Sequence, residues 1–162
     1  MKLTILIRLS GLAAILAGIL NVFSGMPAMF PESALFWVRR IGDISALIAL
    51  IGIALHLRKS LDAFGLVSLG ITAAGVGLLI FSIRYDLAIT VYALGVILLA
   101  IALLRNGSFP RWASVLWLLS ALIAMPGFLI PGQEAFFSLL AAIVFGLGFV
   151  GVGYHLLTFE PG

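Results

Sequence analysis

The sequence has no cysteine and very little charge: of its 162 residues only 9% are charged, with 9 Lys+Arg against 6 Asp+Glu, and 2 His besides. Without cysteine there is no disulfide framework, thiolate metal site, thiol nucleophile or thiol redox switch. A soluble domain of ordinary composition carries about 25% charged residues, which cover its water-facing surface. This chain has too few polar groups for that, which excludes an ordinary soluble enzyme and a disordered chain. Its 9 cations are spread along the whole length, without the dense basic patch that binds nucleic acid.

What the chain has instead is hydrocarbon, 64% of its residues being hydrophobic. Charge-free runs extend from Leu9 to Pro31, Ala63 to Ile83, Leu87 to Leu104, Trp112 to Gln133 and Ala135 to Phe159. A bilayer core about 30 Å thick needs roughly 20 helical residues, each rising about 1.5 Å. A sixth run, after Asp43 to Leu57, is short on its own. Pro31-Glu32-Ser33-Ala34 ahead of it has the features of a helix start, with Glu32 in the first turn facing the positive end of the dipole. The expectation is an all-α polytopic membrane helix bundle, a single transmembrane domain over 1–162. Its six transmembrane helices would lie at about 4–25, 32–57, 62–83, 86–104, 111–130 and 134–157, joined by short loops. None of the runs alternates apolar with polar residues as a β-barrel strand would. Five helices, with the first segment cleaved or interfacial, is the alternative. Lys2 and Arg8 precede an apolar stretch as in a signal peptide, but Met26-Pro27-Ala28 puts a large residue where cleavage needs a small one, so the first helix is expected to stay.

Orientation follows from the cations. With the N-terminus inside, Lys2, Arg8, Arg58, Lys59, Arg105 and Arg111 fall at inner ends, and Arg39, Arg40 and Arg84 at outer ends. That distribution places both termini in the cytoplasm, with the lipid bilayer as the first partner.

Two outer connections resemble each other. Met26-Pro27 through Pro31-Glu32-Ser33-Ala34-Leu35-Phe36 parallels Met125-Pro126 through Pro131-Gly132-Gln133-Glu134-Ala135-Phe136. Either membrane hairpins simply favour proline, or helices 1–2 and 5–6 are a duplicated unit, as in repeat-built transporters. Glycine is orderly too. Gly11, Gly18 and Gly25 recur every seven residues, Gly70, Ala74 and Gly77 form a second small face, and Gly146, Gly148, Gly151 and Gly153 a third. Small residues let membrane helices approach closely, and this is the economical reading of all three. Gly146-Leu-Gly148-Phe-Val-Gly151 also spells a dinucleotide fingerprint, but that motif requires a preceding strand.

A charge within a membrane helix asks for a partner or a purpose. Asp43 lies four residues after Arg39 and three after Arg40, so both could neutralise it along one helix face. The functional alternative gathers Asn21, Arg39, Arg40, Asp43, Arg84, Asp86 and Tyr92 into an outer polar vestibule, where the Arg forks would suit phosphate or carboxylate. His56 and His155 fall near the inner ends of helices 2 and 6. They are either ordinary interfacial histidines or candidate ligands of a haem iron. A metal site would want a third ligand, so neither metal nor cofactor is expected. Ser68, Ser82, Ser114, Ser120 and Ser138 have no adjacent base, and no catalytic residue is assigned.

Arg8-Leu9-Ser10-Gly11-Leu12-Ala13-Ala14-Ile15-Leu16-Ala17-Gly18 resembles the opening helix of small multi-pass bacterial membrane proteins of unknown function. Phe145-Gly146-Leu147-Gly148-Phe149 to Gly153-Tyr154 resembles their last helix. The resemblance implies a bacterial inner-membrane protein and carries over no catalytic residue. The first functional expectation is a non-catalytic subunit or scaffold, not an enzyme. It would associate with a membrane protein partner or a second copy through its small-residue faces. A small-solute or lipid transporter or channel is the second, and a haem-binding or intramembrane enzyme the third.

Overall fold

The computed structural model describes residues 2–26, 29–107 and 109–159, and within them the regular structure is all helix, with no strand. Six helices follow in order: α1 Lys2–Ser24, α2 Glu32–Leu57, α3 Ala63–Ile80, α4 Tyr85–Asn106, α5 Arg111–Leu129 and α6 Glu134–Leu157. Five are long and apolar enough to cross a membrane, while the apolar stretch Arg111–Gly127 of α5 is shorter. Their outward faces carry large hydrophobic side chains, such as Leu6, Leu9, Leu12 and Leu16 on α1. That surface suits hydrocarbon, and helices satisfy their own backbone polar groups there.

Most bounds lie within about two residues of expectation, the usual spread for helix ends. The largest departure is at the end of α3, three residues short of the expected 83. Phe81 donates its N–H to Gly77 O and Ile83 to Leu78 O, which closes the helix. Ser82 (φ 53°) and Arg84 (φ 41°) then take the left-handed conformation that side chains rarely adopt. The Asp62 carboxylate caps the other end of α3 by accepting from Gly65 N–H at 2.8 Å.

The helices close into a ring in which each packs against its neighbours in sequence and α6 returns to α1. The seams are unequal. The α1/α6, α1/α2, α3/α4 and α5/α6 interfaces are extensive, and α2/α3 and α4/α5 much slighter. The bundle is thus a four-helix layer, α2–α1–α6–α5, closed by the α3–α4 hairpin.

Glycine accounts for the tight seams. A Cβ on Gly11 would lie 2.7 Å from Gly153 O, one on Gly18 2.5 Å from Gly146 O, and one on Gly25 2.8 Å from the Ala142 Cβ. The seven-residue stripe of α1 is therefore buried against the small face of α6, in backbone-to-backbone contact. Gly75 of α3 and Gly95 of α4 do the same across the hairpin, against Tyr92 and Thr72. The fingerprint-like glycines are interior to α6, where Gly148 receives the Trp117 indole and Gly151 that of Trp112. Within the described helices two glycines are left over: nothing lies within 4 Å of a Cβ on Gly70 or Gly77 of α3.

Of the two look-alike connections, residues 27 and 28 lie outside the described residues. The second is built differently from a loop, with Pro126 inside the last turn of α5. The hairpins α1–α2 and α5–α6 meet through α1 and α6, and α2 and α5 form no comparable interface. A two-fold axis between the hairpins would make both, so the packing does not relate them by one.

The core is concentrated toward the end that holds the chain termini. Ile7, Ile53, Leu57, Leu99, Leu103, Val152 and Leu156 are buried there with Trp117 and Phe149. The opposite end, which carries the α1–α2, α3–α4 and α5–α6 connections, is hollow.

Candidate functional site: a polar cavity at the hairpin end

The slight α2/α3 and α4/α5 seams leave room between the hairpin and the four-helix layer. A cavity of about 720 Å³ opens there. α1 contributes Asn21 and Ser24, and α2 contributes Glu32, Arg39, Arg40 and Asp43. Leu79 and Ser82 come from the end of α3, Tyr85 and Tyr92 from α4. Glu32 and Asp43 are 11 residues apart on one helix, a descent of about 16 Å at about 1.5 Å per residue. A second cavity of about 350 Å³ adjoins it, sharing Asn21, Ser24, Arg39, Tyr85 and Tyr92. Beyond these its wall is mainly Ala93, Ile97, Ala121, Ala124, Ala142 and Phe145, with the serines Ser120 and Ser138 among them. A recess of about 50 Å³ under Asp43 and Tyr92 ends on Ala17, Ala46 and Phe149, the top of the packed core.

Five of the residues expected in a vestibule therefore share one cavity: Asn21, Arg39, Arg40, Asp43 and Tyr92. Arg84 and Asp86 do not line it. Arg84 is the exposed residue before α4, held at φ 41°, and Asp86 is exposed in the first turn of that helix. The left-handed turn from Ser82 to Arg84 carries them past the rim.

The expected pairing of both arginines with Asp43 is not formed. Among the described residues Asp43 makes neither an ion pair nor a hydrogen bond, although both arginine charges act on it through space. Arg40 instead crosses to α3. Its guanidinium donates to Leu79 O at 2.8 Å and to Ser82 Oγ, and lies over the Phe36 ring at 5.1 Å. The C-terminal carbonyls of a helix lack intrahelical partners and carry the negative end of its dipole, which makes them good acceptors for a cation. Arg39, Asn21 and Tyr92 carry polar heads that make no hydrogen bond within the described residues. Sequence reasoning missed Ser24, Glu32 and Tyr85 at this site. It treated Ser82 only as a nucleophile without a base. A serine just past a helix end, near the level of an arginine on the preceding helix, was the available signal.

His56 and His155 do meet, with ring centroids 5.2 Å apart and planes at 90°. The rings also pack on Phe109, and His56 on Phe159 at 4.7 Å. An edge-to-face contact of this kind leaves no slot for a porphyrin between two axial ligands. Among the described residues no group of three or more His, Asp or Glu could hold a metal ion. Both rings therefore belong to an aromatic cluster at the far end from the cavity. Ser10, Ser68, Thr72, Thr90 and Ser120 hydrogen-bond to carbonyls of their own preceding turns, as helical hydroxyls do.

What the arrangement can do chemically is bind. It offers one free guanidinium, carboxylates, an amide and two phenols around a volume the size of a small molecule. Compared with family models, curated proteins and solved structures, the chain matches none.

Proposed function

We propose that this multi-pass membrane protein is a carrier or receptor for a small ligand with a polar head, taken up in the cavity between the α3–α4 hairpin and the rest of the bundle. One observation carries the reading: Asn21, Arg39, Asp43 and Tyr92 bring unpartnered polar heads from three helices into one cavity. Polar groups held inside a membrane bundle without partners are costly, and a ligand that pairs with them offsets that cost. The slight seams on both sides of the hairpin give the ring two places to open, as domain-scale gating requires. The cation distribution supports an orientation with the cavity facing outward and both termini cytoplasmic, and the resemblance of the first and last helices supports a bacterial inner membrane.

Because the chain has no cysteine, single cysteines test this reading directly. In spheroplasts, Asn21→Cys and Ser24→Cys are expected to react with a membrane-impermeant maleimide, while Ile53→Cys in the packed core stays unreacted. A panel of small zwitterions, anions and cations would then be screened for protection of Asn21→Cys. Failure of both cavity cysteines to react overturns the reading.

A second reading, association as a non-catalytic subunit, is favoured by one specific feature. Gly70 and Gly77 stand open on α3 with Ala74 between them, while the other small faces are used inside the bundle. Gly77→Leu would disrupt such an association, read as a change in oligomer size in detergent, without loss of the folded monomer.

A further inference from the structure

The cavity has two compartments that differ in where their charges lie, and this says more about its occupant than its polarity alone. The larger, about 720 Å³, holds Glu32, Arg40 and Asp43; the smaller, about 350 Å³, shares Arg39 with it and, beyond the shared residues, is walled mainly by alanines with Val96, Ile97, Trp117 and Phe145, and by Ser120 and Ser138. They join at Asn21, Arg39 and Tyr92, so one molecule can occupy both. The smaller compartment lies along the slight α4/α5 seam, where hydrocarbon could enter sideways.

The charges of the larger compartment are mixed. Arg40 is already engaged by Leu79 O and Ser82. Left over are the Arg39 guanidinium and the Asp43 carboxylate, one helical turn apart on the same face, with Glu32 at the rim. A purely anionic head would meet Asp43 and Glu32, and a purely cationic one Arg39 and Arg40. A head carrying both signs satisfies each, its phosphate on the Arg39 fork and its ammonium on Asp43.

Resting on the reading of this cavity as a binding site, we infer that its ligand is a zwitterionic amphiphile, with the headgroup between Arg39 and Asp43 and one hydrocarbon chain in the compartment between α4, α5 and α6. The α4/α5 seam then serves as the lateral door for the chain, and the hairpin-end opening admits the head.

The test compares three probes on the purified full chain by native mass spectrometry: lysophosphatidylethanolamine, lysophosphatidylglycerol and chain-free phosphoethanolamine. The expected result is binding of lysophosphatidylethanolamine at least tenfold tighter than either of the others. Arg39→Gln and Asp43→Asn should each weaken it about tenfold. Ala124→Phe, which fills the smaller compartment, should weaken the lysolipid while sparing phosphoethanolamine; Ala93→Phe on the opposite wall repeats the test should the first variant not fold. Equal binding of phosphoethanolamine and the lysolipid overturns the amphiphile inference and leaves the polar site intact. Equal or tighter lysophosphatidylglycerol overturns the zwitterionic head. No binding of any probe overturns the inference, and the maleimide reaction of Asn21→Cys then decides separately whether the cavity reading falls with it.

Discussion

Gly18 of α1 and Gly146 of α6 face each other so closely that a Cβ built on either lies 2.5 Å from the other's carbonyl oxygen. Nothing but hydrogen fits there. In lipid, where apolar side chains gain little by leaving one apolar surrounding for another, this kind of backbone approach is what holds helices together.

Gly146→Leu should therefore force α1 and α6 apart and destabilise the bundle by roughly 1–3 kcal/mol, the usual range for overpacking. Gly70→Ala, where a Cβ meets open space, should leave stability unchanged or slightly raised. Reversible unfolding in mixed micelles measures both. Equal losses at the two positions would mean that the α1/α6 contact is not what limits stability.

Arg40 ties α2 to the end of α3 across the slight seam. Arg40→Gln removes a charged donor from Leu79 O and Ser82 Oγ, a loss of about 1.5–3 kcal/mol for hydrogen bonds to a charged group. Faster amide exchange over residues 78–84, with exchange in α6 unaltered, is the expected result. Ser82→Gly should be milder than Ser82→Val. Glycine relieves the φ of 53° at this position, whereas a β-branched residue resists it.

His56 is surrounded by aromatic rings, and among the described residues its buried Nδ1 has no hydrogen-bond partner. Replacing such a group with an apolar one of similar shape is close to neutral or stabilising. His56→Phe should thus keep or raise the melting temperature in detergent, and elemental analysis should give the same metal content for both proteins. A drop in bound metal or in a Soret band on substitution would instead make His56 a ligand.

Topology is open to the same cysteine approach. Arg84→Cys, on the exposed α3–α4 turn, should react with an impermeant maleimide in spheroplasts, and Lys59→Cys on the α2–α3 connection only after permeabilisation. The reverse pattern would place the cavity on the cytoplasmic side.

Much of the architecture was legible from residue order. Charge-free runs near the length of a bilayer core marked the helices, and Pro31-Glu32 marked the start of α2 where the structure has it. The depth of Asp43, Asn21 and Tyr92 was also legible, since depth follows from counting residues along antiparallel rods. Arg40 was not. Spacing along α2 puts its side chain within a turn of the Asp43 carboxylate, and only the position of α3 brings the C-terminal carbonyl of Leu79 to it instead. His56 and His155 were placed at one depth by the sequence, but depth does not say which rings touch.

By itself, then, the amino-acid order determined the solvent, the helical state and the approximate helix ends, because transfer into hydrocarbon is a local and nearly additive property of each segment. The tertiary structure alone decided which glycines are closed against a neighbour and which stand open, where Arg40 goes, and that the hairpin end is hollow. Those outcomes depend on which helix lies beside which, and hydropathy cannot choose, since one apolar face resembles another to lipid and only shape tells them apart.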